Sequence, residues 1–167
     1  MAELSHFDEQ GRTRMVSVAE KAVTPRTARA SAQVVMASAT LSRIRDKRLA
    51  KGDVLEVARL AGIMAAKRTP DLIPLCHPLP LDGVRIDFEI VNETTLRIEA
   101  AVAVTARTGV EMEALTAASV AGLTVYDMCK SIDRSIEIIA VRLEEKSGGR
   151  SGLWKRESLP LTAPSES

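Results

Sequence analysis

Polar and apolar positions alternate with a period of two between Thr27 and Met36, where Thr27, Arg29, Ser31 and Gln33 interleave with Ala28, Ala30, Ala32 and Val34. That period predicts a strand with one buried face, its alanines notwithstanding. The alternation recurs at Val84, Ile86, Phe88 and Ile90, and again at Leu96, Ile98, Ala100, Val102 and Val104. The turn Asn92-Glu93-Thr94 between them predicts a β-hairpin with one face on the core. Two more strands are predicted, a short one from Arg14 to Val18 and one rich in Ile and Val from Ser135 to Leu143.

Helical periods fill the gaps. Ser38 is placed to cap a short helix carrying Leu41, Ile44 and Leu49, ending near Lys51-Gly52. Asp53 then opens a second helix, with Val54, Val57, Ala58, Ala61 and Ala65 at helical spacing. The longest is TGVEMEALTAASVAGLTVYDMCK, Thr108 to Lys130, whose Thr108 and Glu111 have the spacing of a capping box. Its middle is built on Ala114, Ala117, Ala118 and Ala121, small residues that let another element approach closely.

Between the second helix and the hairpin, TPDLIPLCHPLP carries prolines at 70, 74, 78 and 80. Such a run argues against helix and central strand and predicts a stiff extended loop that fixes the direction of its side chains, His77 among them. Residues 1–13 are predicted to be a mobile N-terminal segment and 158–167 a disordered tail. Residues 14–157 form a single domain, with no repeat or linker dividing it. Helices set between hairpin-joined strands predict an α+β sandwich, an antiparallel sheet covered on one face by helices, in a ferredoxin-like arrangement.

Composition narrows the function. The 167 residues suffice for one domain with a real core, and a net charge of +1 gives no electrostatic reason to expect nucleic acid or an anionic membrane as partner. With one Trp, one Tyr and two Phe the core is aliphatic, and a base-stacking platform is disfavoured. Cys76 and Cys129 have neither zinc-like nor redox spacing, which fits a reduced, cytoplasmic compartment. The uncharged apolar stretch from Ala114 to Tyr126 is shorter than a membrane span, and the N-terminus lacks the apolar region of a signal peptide.

Candidate chemistry gathers at four places. Asp127 lies near the negative end of its helix, where a carboxylate is disfavoured, and Lys130 follows three residues on. They read either as a surface ion pair or as an acid-base pair whose pKa values are moved toward neutrality by buried neighbours. His77 reads as a structural hydrogen-bonding residue or a catalyst. The glycine-rich turn between Lys146 and Arg150 reads as a phosphate cradle or a surface turn, and Lys51 beside Gly52 has a similar double reading. A mixed metal site of Cys76, His77, Asp127 and Cys129 is disfavoured, because adjacent Cys-His is poor chelate spacing. Glu113 and Asp127 are separated by about 21 Å on one continuous helix. If both ends of that helix work on one small ligand, a neighbouring chain completes the site.

Four segments together resemble a known family: KGDVLEVARLAGIMAAKRTPDLIP at 51–74, LCHPLPL at 75–81, TGVEMEALTAASVAGLTVYDMCK at 108–130 and KSGGRSG at 146–152. From about Phe7 to Lys155 the chain is similar to the cyclic pyranopterin monophosphate synthases, the molybdenum cofactor biosynthesis protein C family. The resemblance implies a lyase that converts (8S)-3',8-cyclo-7,8-dihydroguanosine 5'-triphosphate to cyclic pyranopterin monophosphate with release of diphosphate. It implies no redox cofactor, and leaves open a divalent ion accompanying the triphosphate. Carried over by position, Asp127 is a general acid or base and Lys130 its catalytic neighbour, with Lys51 and His77 in the catalytic group. Leu75, Cys76 and His77 form one substrate-binding segment and Glu111, Met112 and Glu113 the other, while Lys51, Lys146 and Arg26 hold phosphates or shuttle protons. The family implies a homohexamer, a trimer of dimers with sites at subunit interfaces, and a functional link to an upstream radical GTP cyclase. Arg150 stands where the family commonly has lysine, and Ser17 where it often has aspartate. The competing readings are a non-catalytic nucleotide-binding regulatory module on the same fold and a purely structural oligomer. Neither explains an acid, a lysine and a histidine in rigid, apolar contexts.

Overall fold

A computed structural model of the chain describes residues 10–47 and 52–157. The expected tail at 158–167, most of the expected mobile N-terminal segment, and Leu49 and Lys51 lie outside the described residues. In chain order the elements are β1 (Thr24–Val35), α1 (Ser38–Arg45), α2 (Val54–Lys67), α3 (Thr69–Leu72), β2 (Gly83–Ile90), β3 (Thr95–Ala106), α4 (Glu111–Cys129), β4 (Glu137–Ser147) and β5 (Trp154–Lys155). The sheet is antiparallel, in the order β2-β3-β1-β4-β5. Its first four strands have the βαββαβ order of a ferredoxin-like fold, and β5 is added at the edge.

The period-two pattern explains the core. Ala28, Ala30, Ala32 and Val34 of β1 and Leu96, Ile98, Ala100, Val102 and Val104 of β3 are buried side by side. Helix α4 lies on them through Ala114, Ala117, Ala118, Ala121 and Val125, all fully buried. Helix α2 packs against α4 where a side chain would not fit. A Cβ on Gly62 would stand 2.9 Å from the Ala117 carbonyl oxygen and collide with Ile86. Among the described residues no helix is long and apolar enough to cross a membrane.

The opposite face of the sheet carries the polar half of the alternation. Arg29 joins Glu99 at 2.9 Å to Glu145 at 3.3 Å. Strand β4 runs to Ser147, further than its Ile/Val-rich stretch predicts, and it meets β1 with two register shifts. Ala140 takes φ 53° at one shift, a conformation typical of a bulge. Glu144 lies at the other, bonded by Ser31 and by Arg142 at 2.9 Å.

Several local expectations are corrected. Residues 14–18 form no strand; Thr13 makes an isolated bridge and the segment runs over the surface as an irregular chain. The proline-rich run begins with one helical turn, α3, because Pro70 sits in the first turn, where a missing N–H costs nothing. Thr108 does not cap α4, which starts at Glu111 after an N-cap at Val110 with no side-chain bond. Ser38 does not cap α1 either.

The cap of α1 comes from far along the chain. Asp133 accepts from the Ala37 N–H at 2.9 Å and the Thr40 hydroxyl at 3.1 Å, and holds its own turn through the Ser135 N–H at 3.0 Å and hydroxyl at 2.6 Å. The Ser135 hydroxyl, with the Ala37 and Ser135 amides and the Thr40 hydroxyl helping against burial, holds the carboxyl at about 2 instead of 3.8. Replacing Asp133 by alanine orphans these donors, and we expect a loss of about 2 to 3 kcal/mol in urea unfolding at pH 7. Because the folded pKa is depressed, the contribution is complete above pH 3.8 and lost as pH falls through about 2. The difference between wild type and Asp133→Ala should shrink across that window in acid unfolding.

Candidate functional site

Three stretches of the chain enclose a cavity of about 720 Å³. The first is the irregular segment with Thr13, Val16, Val18 and Lys21, where a turn is closed by the Lys21 N–H donating to the Val18 carbonyl at 3.0 Å. Ser17 accepts from the Ala19 N–H at 3.4 Å within the same turn. The second is the loop after α3, where the Cys76 N–H donates to Ile73 and prolines at 74, 78 and 80 stiffen the path. It sets Leu75, Cys76 and His77, all half-buried, along one wall. The third is the start of α4, which contributes Thr108, Gly109, Glu111, Met112 and Glu113.

Glu113 is 3% exposed. Burial pushes its carboxyl above the ordinary 4.5; its backbone N–H pulls the other way and the charge of Glu111 adds to the rise. Burial also pushes the Cys76 thiol up, with the charge of Glu113 adding to it, which favours the thiol over the thiolate. The cavity thus has an aliphatic floor, a histidine and a carboxyl biased toward its neutral form. That set can donate and accept protons along the edge of a planar heterocycle.

A second cavity of about 690 Å³ adjoins the first, since Lys21, Thr108, Gly109 and Glu111 line both. Its other walls carry the cations Arg26, Lys146 and Arg150 together with the carboxylate of Glu20. The Lys146 ammonium donates to Glu111 at 2.8 Å, each side chain about 30% exposed. Arg26 is partly committed, donating to the carbonyls of Ala106 and Arg107 at 3.1 Å each. The turn that follows β4 packs onto it. Gly148 and Gly149 have φ of 94° and 68°, and a side chain on Gly149 would run into the Arg26 guanidinium. This is a basic groove with exposed backbone, suited to phosphates.

The structure therefore brings together Leu75, Cys76, His77, Glu111, Met112 and Glu113 in one cavity and Arg26, Lys146 and Arg150 in its neighbour. It leaves Asp127 and Lys130 elsewhere. They lie at the opposite end of α4 and line neither cavity. Lys130 donates to Asp127 at 2.7 Å, and the side chains are 51% and 64% exposed. The expected shift toward neutrality is corrected for the lysine: the Asp127 hydrogen bond and charge raise its pKa above 10.5, because water surrounds the pair and burial is slight. Lys51 lies outside the described residues. Among the described residues no group of three or more His, Cys, Asp or Glu is placed to hold a metal ion. Sequence reasoning missed Lys21 and the wall formed by Thr13, Val16 and Val18; its only signal there was a short apolar alternation, which it assigned to a strand.

Residues 15–149 match the MoaC family. The chain is 59% identical over 155 residues to a cyclic pyranopterin monophosphate synthase of Desulfitobacterium hafniense, covering 93% of this chain and 95% of that one. It is 60% identical over 158 residues to the protein of the same name from Thermomicrobium roseum, covering 94% and 95%. Cyclic pyranopterin monophosphate synthase 1 of Mycobacterium tuberculosis is 55% identical over 162 residues, covering 97% and 95%.

The buried carboxyl of Glu113 has a thermodynamic signature. Its folded pKa is raised, so the fold is favoured while it is protonated and loses stability as pH climbs from 4.5 through the folded value. Glu113→Gln should therefore melt at a higher temperature than wild type at pH 7 to 8, with the gain vanishing below about pH 4.5. Thermal melts of both proteins across that range check it.

Proposed function

The chain belongs to the MoaC family, and from that premise we propose how its two cavities and the far end of α4 divide the work of making cyclic pyranopterin monophosphate. The chain is an enzyme of molybdenum cofactor biosynthesis, acting on a cyclic GTP-derived substrate. In our reading that substrate is (8S)-3',8-cyclo-7,8-dihydroguanosine 5'-triphosphate. The observation that carries the division is the adjoining pair of cavities, one with buried acid and histidine, the other with cations, joined where Glu111 meets Lys146.

The fused base enters the first cavity against Leu75, Cys76 and Met112. Glu113, held toward its neutral form, and His77 meet its polar edge as proton donor and acceptor while the imidazole ring of the guanine opens and the pterin ring closes. The triphosphate lies in the second cavity, where Lys146 and Arg26 offset the charge that builds on the departing diphosphate. A ribose hydroxyl attacks the α-phosphorus, the bond to the diphosphate breaks, and the hydroxyl proton passes to a base. No redox cofactor enters this scheme, and any divalent ion arrives with the triphosphate.

Asp127 and Lys130 act from a second copy of the chain. Glu113 and Asp127 are about 21 Å apart along α4, too far for one bicyclic base. The same helix carries Met112, Leu115, Ser119 and Leu123 three and four residues apart, with Leu123 58% exposed, and Asp127 continues that row. Two such rows packed antiparallel set each Asp127–Lys130 pair at the other chain's cavity. There the loss of water lowers the Lys130 pKa from its solvated value and makes it a usable proton carrier. A trimer of such dimers is the assembly this reading favours.

Single-turnover reactions with the cyclised dihydro-GTP test the scheme. Wild type should release cyclic pyranopterin monophosphate and diphosphate together. Lys130→Ala should bind the nucleotide and release both about 100-fold more slowly or worse. A wild-type protein that binds the nucleotide and returns it unchanged would refute the scheme.

A further inference from the structure

A chain needs glycine where its backbone turns left-handed or where another group comes too close for a side chain. The described glycines divide by what comes close. A Cβ on Gly62 would meet the Ala117 carbonyl oxygen, and one on Gly148 the Pro25 carbonyl oxygen, so both serve the packing of backbone. Gly109 is different. The three atoms nearest a Cβ there all belong to the carboxylate of Glu111: one oxygen in direct collision, the carboxyl carbon at 2.8 Å and the second oxygen at 3.0 Å. Nor does Gly109 take the left-handed backbone of Gly148 and Gly149.

The direction of helical side chains explains the contact. They lean toward the N-terminus of their helix, and Glu111 is the first residue of α4, so its carboxylate lies back over the chain that enters the helix. There its Oε1 accepts from the Lys146 ammonium at 2.8 Å, across from β4. The side chain is 29% exposed, so burial alone does not fix it. Lys146 holds it from one side, and the bare surface of Gly109 gives it room on the other. Thr108, Gly109 and Glu111 line both cavities, which places the carboxylate where the two meet.

We propose that Gly109 is a positioning residue for the reaction: the absence of a side chain there is what lets the Glu111 carboxylate stand at the junction of the two cavities. This rests on the reading of the cavities given above, in which the ribose of the substrate lies between base and phosphates. A carboxylate fixed at that junction accepts from a sugar hydroxyl. A methyl group at 109 pushes it off Lys146 and out of that place. The fold has little at stake, because the atoms in the way are the end of a flexible side chain and an alanine also removes freedom from the unfolded chain. Gly109→Ala therefore harms catalysis and spares folding, whereas Gly62→Ala harms folding.

A double-mutant cycle on the full-length chain tests this, read as single-turnover release of cyclic pyranopterin monophosphate from saturating cyclised dihydro-GTP. Gly109→Ala should melt at or above the wild-type temperature and react about tenfold more slowly. In a Glu111→Ala background no carboxylate is left to displace, and adding Gly109→Ala should change the rate by less than about twofold. A purely structural glycine would slow the reaction in both backgrounds. If Gly109→Ala reacts as fast as wild type while Glu111→Ala is slow, or slows both backgrounds alike, or melts well below wild type, the assignment of Gly109 is overturned while the division of the cavities stands. If Glu111→Ala is itself as fast as wild type, the place of Glu111 in the reading fails and that of Gly109 fails with it.

Discussion

The stiffness of α4 is the constraint from which the rest follows. Nineteen residues of helix lie against β1, β3 and β4 through alanines, and Gly62 lets α2 close over them. No proline interrupts it. Its two ends are thus held at a fixed separation, the buried Glu113 at one and the solvated Asp127–Lys130 pair at the other. A softer or shorter helix could fold both ends onto one ligand. In the proposed reading, a second copy of the chain brings the far end to the cavity.

Burial divides the charged groups by task. Burial pushes the carboxyl of Glu113, on the wall of the first cavity, above its ordinary value and so biases it toward its neutral form. Asp133, 8% exposed, goes the other way because four donors surround it, and it serves the fold by capping α1 from the far end of the chain. The contrast shows that burial alone does not set a carboxyl's behaviour; the number of donors aimed at it decides the sign. Glu111 and Lys146 sit between these extremes, each about 30% exposed and paired with the other.

What could be read from the sequence follows from how local each signal is. Strands β1, β2 and β3 and helix α2 were legible because a period-two or helical pattern, and a capping Asp53 that accepts from the Leu55 and Glu56 N–H groups, are written within the segment itself. The loop holding Leu75, Cys76 and His77 was legible from its prolines, apart from the first turn, where Pro70 suits a helix start. The cap of α1 was not, because its carboxylate is 96 residues from the N–H it accepts. Nor were the two bulges of β4, which depend on register against β1, or the place of Lys21 on the wall of both cavities, which comes only from where a surface turn comes to lie. The segment at 14–18 misled because a few alternating residues do not specify a strand without a partner edge.

The central claim is that one active site takes Glu113 from one chain and Lys130 from another, and pairing two defective chains tests it most directly. Glu113→Ala and Lys130→Ala, each inactive alone, should regain about a quarter of wild-type activity when co-expressed and assembled at random in equal amounts, because half the dimers are mixed and each mixed dimer carries one intact site of two. A mixture that assembles yet stays as inactive as its parents would contradict the claim, placing both residues in the same chain's site.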